Sequence, residues 1–198
     1  MIHLVRHGET PGNARRFLQF PETPLSERGI EQARRLGERL ARHAVARILS
    51  SDYARAEATA ACIAEATGAP LERESLLRER DFGALRGTPY AELRVNPFAP
   101  GYAPPEGETW EVFHARVDRA WERVLEAAEA GPLVVVTHGL VGLSLAARHL
   151  TLPESETPAL TGLANASLTS VESTPPHRVT RFNCTAHLET AAAPGAPA

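Results

Sequence analysis

The run Leu133-Val134-Val135-Val136 is apolar at four successive positions and lies between Gly131-Pro132 and Thr137-His138-Gly139. A strand with one face in water alternates apolar and polar residues. A strand that is apolar throughout needs cover on both faces, as in a parallel sheet packed between helices. Ile2-His3-Leu4-Val5, apolar at three of its four positions, is a second strand signal at the N-terminus and runs directly into Arg6-His7-Gly8. Any fold for this chain must therefore bury both runs and deliver a histidine at the end of each.

The segments between these runs read as helices. Ser26 is an N-cap for a helix in which Ile30, Ala33, Gly37, Leu40 and Ala44 recur at helical spacing. Val45, Ile48 and Leu49 form a short strand. Ser50-Ser51-Asp52 then offers a cap before an alanine-rich helix from Tyr53 to Thr67, stopped by Gly68. A third helix carries Trp110, Phe113, Val117, Trp121, Val124 and Ala128 on a core-facing stripe, and a fourth follows Gly139 through Leu140 to Leu150. Ser167 to Val171 and Arg178 to Asn183 alternate as strands joined across Pro175-Pro176. Pro11-Gly12-Asn13 marks a turn, and 14–24 reads as loop. From Ala69 to Pro105 regular signals are weak, apart from a short element near Leu76; irregular segments of this length are commonly substrate loops. Alternating strands and helices predict an α/β fold, a three-layer α/β/α sandwich with a central, mostly parallel sheet. Residues 1–189 are expected to form a single domain, with 190–198 an Ala/Pro-rich disordered tail.

Composition narrows the chemistry. A net charge of -3 gives no electrostatic footprint for nucleic acid or acidic membranes. No apolar run reaches the length of a membrane span and no signal-peptide pattern opens the chain, so a cytoplasmic protein is expected. All 21 basic residues are arginine. That excludes every mechanism requiring a P-loop, kinase or Schiff-base lysine. Cys62 and Cys184 form no CxxC pair and are expected as small core residues rather than a disulfide or zinc site.

In open α/β sheets ligands bind beyond the carboxyl ends of the strands, where Arg6-His7-Gly8, Ser51-Asp52 and Thr137-His138-Gly139 all fall. Histidine can act as nucleophile, acid/base or metal ligand, and a guanidinium fork matches phosphate oxygens. His3 and His7 are no metal pair: on a strand, spacing of four separates them by about 13 Å.

The chain resembles the histidine phosphatase (phosphoglycerate mutase-like) superfamily, small bacterial phosphatase branch, over nearly its whole length. The blocks are Leu4-Val5-Arg6-His7-Gly8-Glu9-Thr10 with Asn13; Thr23-Pro24-Leu25-Ser26-Glu27-Arg28-Gly29 with Gln32-Ala33; Ser50-Ser51-Asp52 with Arg55-Ala56 and Thr59-Ala60; Glu79 with Phe82-Gly83; Pro105-Glu106-Gly107-Glu108-Thr109; and Val135-Val136-Thr137-His138-Gly139. The resemblance implies a metal-independent phosphomonoester hydrolase with no cofactor, taking a small-molecule phosphomonoester and existing as monomer or homodimer. His7 would be the nucleophile, forming a phosphohistidine, its ring oriented by a carbonyl near Gly8. Arg6, Arg55 and Asn13 would hold phosphoryl oxygens, with Gln19 in the same loop. His138 would donate to a phosphoryl oxygen as imidazolium, its pKa raised by the substrate's own negative charge, the amides of Gly139 and Leu140 would point the same way, and Glu79 would be general acid and then base.

Two departures bear on the class of member. Phe82 stands where mutase members usually carry tyrosine, and 83–105 is short, with only Arg86 and Arg94 as cations. Both favour hydrolysis over phosphoglycerate mutase activity; a non-catalytic phospholigand-binding module is the third reading. Leu140 replaces a family glycine, and Gln19-Phe20 replaces Gln-Gly or Thr-Gly, which together add apolar bulk near the mouth.

Overall fold

The computed structural model describes residues 1–153 and 162–189. Strands β1 (Ile2–Arg6), β2 (Arg47–Ser50), β3 (Leu71–Arg73), β4 (Leu133–Thr137), β5 (Leu168–Val171) and β6 (Val179–Cys184) form a six-stranded sheet in the order β3-β2-β4-β1-β5-β6. The first four are parallel; β5 and β6 are antiparallel. The helices are α1 (Pro11–Arg15), α2 (Glu27–Leu40), α3 (Ala54–Thr67), α4 (Trp110–Ala128) and α5 (Gly139–His149).

The core shows why β4 is apolar throughout. Leu133 and Val135 pack with Phe113, Val117, Val124 and Leu145 of α4 and α5 on one face. Val134 and Val136 pack with Leu36, Leu40, Ala56 and Ile63 of α2 and α3 on the other. All four β4 valine and leucine side chains are fully buried, which is the three-layer arrangement expected.

Five details differ from the expectations. The Pro11 turn opens α1 instead: Thr10 and Asn13 cap each other reciprocally, Pro11 needs no amide partner at the first turn, and Arg16 ends the helix at a φ of 57°. The buried stripe of α2 is Gly29, Ala33, Leu36, Gly37 and Leu40, so Ile30 is exposed and Ala44 lies past the helix end. Gly37 lets α3 approach: a Cβ there would stand 2.9 Å from the Cys62 carbonyl oxygen. The α3 N-cap is Tyr53, with no side-chain cap bond, because Asp52 pairs with Arg78 and Ser51 is engaged by His138. Finally, β3 is an edge strand whose Leu-Glu-Arg pattern is largely exposed, and both cysteines are half-buried rather than in the core. The expected disordered tail at 190–198 lies outside the described residues.

No described helix is long and apolar enough to cross a membrane.

Candidate active site

The β1–β4 ladder pairs Arg6 with Thr137, so the next residue on each strand, His7 and His138, emerges at the same level with ring centroids 5.2 Å apart. The His7 backbone is fixed from both neighbouring strands. Its amide donates to the Thr137 carbonyl (3.0 Å), and its carbonyl accepts from the Ala166 amide and the Asn165 side chain, each at 3.1 Å. Gly8 donates to Thr59 Oγ1 of α3 (3.1 Å). Gly8 and Gly29 let this loop touch the start of α2: a Cβ on Gly8 would stand 2.5 Å from the Gly29 carbonyl oxygen.

The His7 ring is oriented by its own main chain. Nδ1 lies 2.7 Å from the Gly8 carbonyl oxygen. A carbonyl only accepts, so Nδ1 carries the proton and Nε2 carries the lone pair. Arg55 Nε donates to that Nε2 at 3.2 Å. Burial, then the charges of Arg55 and Arg6, hold the His7 pKa well below the usual histidine value. The ring is neutral and only 2% exposed, the state a nitrogen nucleophile needs.

Arg55 sits in the first turn of α3, donates to the Phe20 carbonyl (3.0 Å) and lies over the Tyr53 ring. Burial lowers its pKa to about 10, so it is still a cation at neutral pH. Arg6 donates to the Leu163 carbonyl and has its Nε buried without a partner. Asn13 Oδ1 accepts from Thr10 N and Asn165 Nδ2, which leaves its NH2 for a ligand. Gln19 Oε1 is held by the Thr10 hydroxyl at 2.7 Å.

Glu79 enters from the irregular segment after β3. Its Oε1 accepts from the Arg80 amide and its Oε2 from the Leu140 amide, both at 3.1 Å. The Leu140 amide, expected to face a phosphoryl group, is thus turned to Glu79 in this state. Gly139 stands between the two groups: a Cβ there would lie 3.7 Å from Arg6 Nε and 3.8 Å from Glu79 Oε2.

His138 is the second ring at this level. It is fully buried, with Nε2 2.8 Å from Ser51 Oγ and Nδ1 buried without a partner. Burial, then Arg55, His7 and Arg6, push its pKa well below 6.5. With these cations beside it the ring is neutral, and an imidazolium at this position requires a negative charge brought next to it.

A pocket of about 470 Å³ opens over these groups. It is lined by Arg6, His7, Asn13, Gln19, Arg55, Glu79, Gly139 and Leu140, while His138 lies behind this surface. Tyr53, Arg80, Arg86, Tyr90 and Phe98 line it too, although no periodicity or motif singled them out. Phe20 does not: its ring covers Gly87. Trp110 packs under Arg80, 3.9 Å from ring centroid to guanidinium carbon.

Several histidines are buried neutral, and this sets an acid limit on stability. His7 and His138 lie well below 6.5, and burial takes His3 and His187 to about 4. The unfolded chain binds these protons from about pH 6.5 downward, so stability is full above that value and falls as the pH drops toward the folded values. For His3, held at about 4, the loss is about 1 to 2 kcal/mol by pH 5, and the two fully buried rings lose stability in the same direction. A chain of this size should then lose about 10 °C in Tm between pH 7.5 and 5; a flat Tm in differential scanning calorimetry across that range would contradict neutral burial.

The model of the histidine phosphatase superfamily (branch 1) matches residues 2–185. A probable phosphoglycerate mutase GpmB of Yersinia pestis is 34% identical over 182 residues, 86% of this chain and 84% of that protein. Among solved structures, YhfR of Bacillus stearothermophilus superposes with a TM-score of 0.81 at 28% identity, covering 95% and 98% of the two chains. A mycobacterial glucosyl-3-phosphoglycerate phosphatase in complex with VO3 gives 0.76 at 32% identity, covering 90% and 94%. With its histidine at the end of the first strand, its arginine at the start of the third helix and its whole sheet order accounted for, the chain belongs to the histidine phosphatase superfamily.

Proposed function

We propose that the protein is a metal-independent phosphomonoester hydrolase that works through a phosphohistidine on His7. The observation that carries this reading is the His7 ring itself, with its proton committed to the Gly8 carbonyl and its lone pair directed at the guanidinium of Arg55. A phosphoryl group binding there takes over Arg55 and Arg6 with its oxygens, which frees Nε2 for in-line attack on phosphorus. The P–N bond forms as the P–O bond to the leaving alcohol breaks, and Glu79 supplies the proton that alcohol needs. Water then attacks phosphorus as the P–N bond breaks and returns its electron pair to Nε2, Glu79 takes the proton from the water, and inorganic phosphate leaves. Arg6 and Arg55 supply charge stabilisation that a divalent ion supplies in other phosphatases.

Hydrolysis is favoured over mutase activity by where the remaining cations point. A phosphoglycerate carries a second acidic group, which needs a free cation in the far half of the pocket. Arg80 is spent on the carbonyls of Pro97, Tyr102 and Glu108, and Arg86 is paired with Asp81 at 2.7 Å. The rest of that wall is Phe17, Leu18, Tyr90, Phe98 and Leu143. The name of the mycobacterial neighbour, a phosphatase, supports the same choice. The test is phosphate release across a panel of phosphomonoesters, with EDTA and with bisphosphoglycerate. Release unaffected by either is expected. Isomerisation of phosphoglycerate with negligible phosphate release would establish the mutase instead, and binding without turnover a non-catalytic module.

A further inference from the structure

Glu79 must meet a leaving oxygen with hydrogen-bond accuracy, yet it stands on neither helix nor strand. It lies between a 3-10 turn at Ser75–Leu77 and another at Gly83–Leu85. The position of such a segment is set by what holds its main chain. Most of that hold comes from one side-chain pair, Glu108 just before α4 and Arg116 in its second turn. Arg116 Nη1 donates to the carbonyls of Leu76 (2.7 Å) and Arg78 (2.8 Å), and its Nη2 reaches the Glu79 carbonyl at 3.4 Å. The same guanidinium makes a two-point contact with Glu108, 2.7 Å on each side. Glu108 Oε2 in turn accepts from the Asp81 amide at 2.9 Å, and the Glu108 carbonyl accepts from Arg80. Main-chain groups on both sides of Glu79 are thus tied to one ion pair whose side chains are only 13% and 16% exposed.

Neither Arg116 nor Glu108 lines the pocket. We propose that the Arg116–Glu108 pair is the positioning device for the general acid: it acts on the reaction only through the placement of Glu79. A bidentate guanidinium–carboxylate fork has a defined geometry, which a lysine cannot reproduce. Loosening it displaces the Glu79 carboxyl group without touching His7, Arg6 or Arg55. The inference rests on Glu79 being the proton donor, as proposed above.

The test compares two substrates by kcat/KM, which reports the steps up to transfer of the phosphoryl group to His7. Glycerol phosphate has an alkoxide leaving group that needs a proton; nitrophenyl phosphate has a leaving group that does not. Arg116→Lys and Glu108→Gln should each lower kcat/KM for glycerol phosphate by about 10- to 100-fold, the cost of a small misplacement. Nitrophenyl phosphate should lose less than about threefold, since proton donation contributes little to its expulsion. In a Glu79→Gln background neither substitution should add a further loss for glycerol phosphate, because the group they position is already disabled. Both variants are assayed below their melting transitions, and the nitrophenyl activity reports that the phosphoryl site is intact. Equal losses on both substrates, or full additivity with Glu79→Gln, would overturn the positioning role and leave a merely structural pair. If Glu79→Gln itself affects both substrates equally, the assignment of Glu79 as acid fails instead.

Discussion

His7→Ala is expected to lower kcat/KM for nitrophenyl phosphate by a factor on the order of 10⁵ to 10⁶, the scale seen when a covalent nucleophile is removed from an enzyme whose other groups remain. The expectation follows from the isolation of His7 Nε2. The other buried ring at this level, His138, has its Nε2 against Ser51 and lies outside the pocket lining, so it cannot substitute as nucleophile. Arg6 and Arg55 would still bind the phosphoryl group in the variant, so substrate affinity should survive while turnover is lost. Intact-mass measurement after rapid acid quench should show a phosphorylated species in the native chain and none in the variant. Retained hydrolysis above a few per cent would refute the phosphohistidine route.

The second large effect is expected at Glu79 and depends on the substrate. Glu79→Gln keeps the shape and the capacity to accept from the Leu140 amide but removes the transferable proton. For an alkyl phosphate, kcat/KM should fall by about 10² to 10⁴, the usual worth of general acid catalysis. For nitrophenyl phosphate kcat/KM should barely move, but kcat should fall, because the second step needs Glu79 to accept a proton from water. The phosphorylated protein then accumulates, and the time course should open with a burst of nitrophenol followed by slow turnover. A uniform loss in kcat/KM for both substrates, with no burst, would count against Glu79 as acid and base.

The parts of this fold that could be read from the chain are those where one local pattern decides the outcome. The four apolar residues of β4 require cover on both faces, and the stripe from Phe113 to Val124 can only be one side of a helix; both lie where expected. The resemblance supplied the order of the site blocks, and eight of the nine candidate residues line one pocket. What escaped depends on contacts distant in sequence. Arg80 sits in a run of charges that reads as solvated surface, yet it is 2% exposed, since three loop carbonyls and a tryptophan face receive its guanidinium. Tyr90 and Phe98 belong to a stretch with no period because its shape is made by turns rather than by a helix or strand. For His138 the motif indicates that it meets a phosphate, but not that its ring lies fully buried among arginines and behind the pocket surface.

The register of β1 against β4 has a consequence for how this protein can vary. Arg6 faces Thr137 across a ladder of main-chain hydrogen bonds, so the distance between the two site histidines is set by backbone pairing and not by the side chains of the core. Core substitutions, which swell or shrink the helical layers, should cost stability well before they change that distance. Insertion or deletion of one residue within either strand is different, since it turns every following side chain to the opposite face of the sheet. Over evolutionary time the two strands behave as a pair of rulers: free to change the material they are made of, but unable to change length except together.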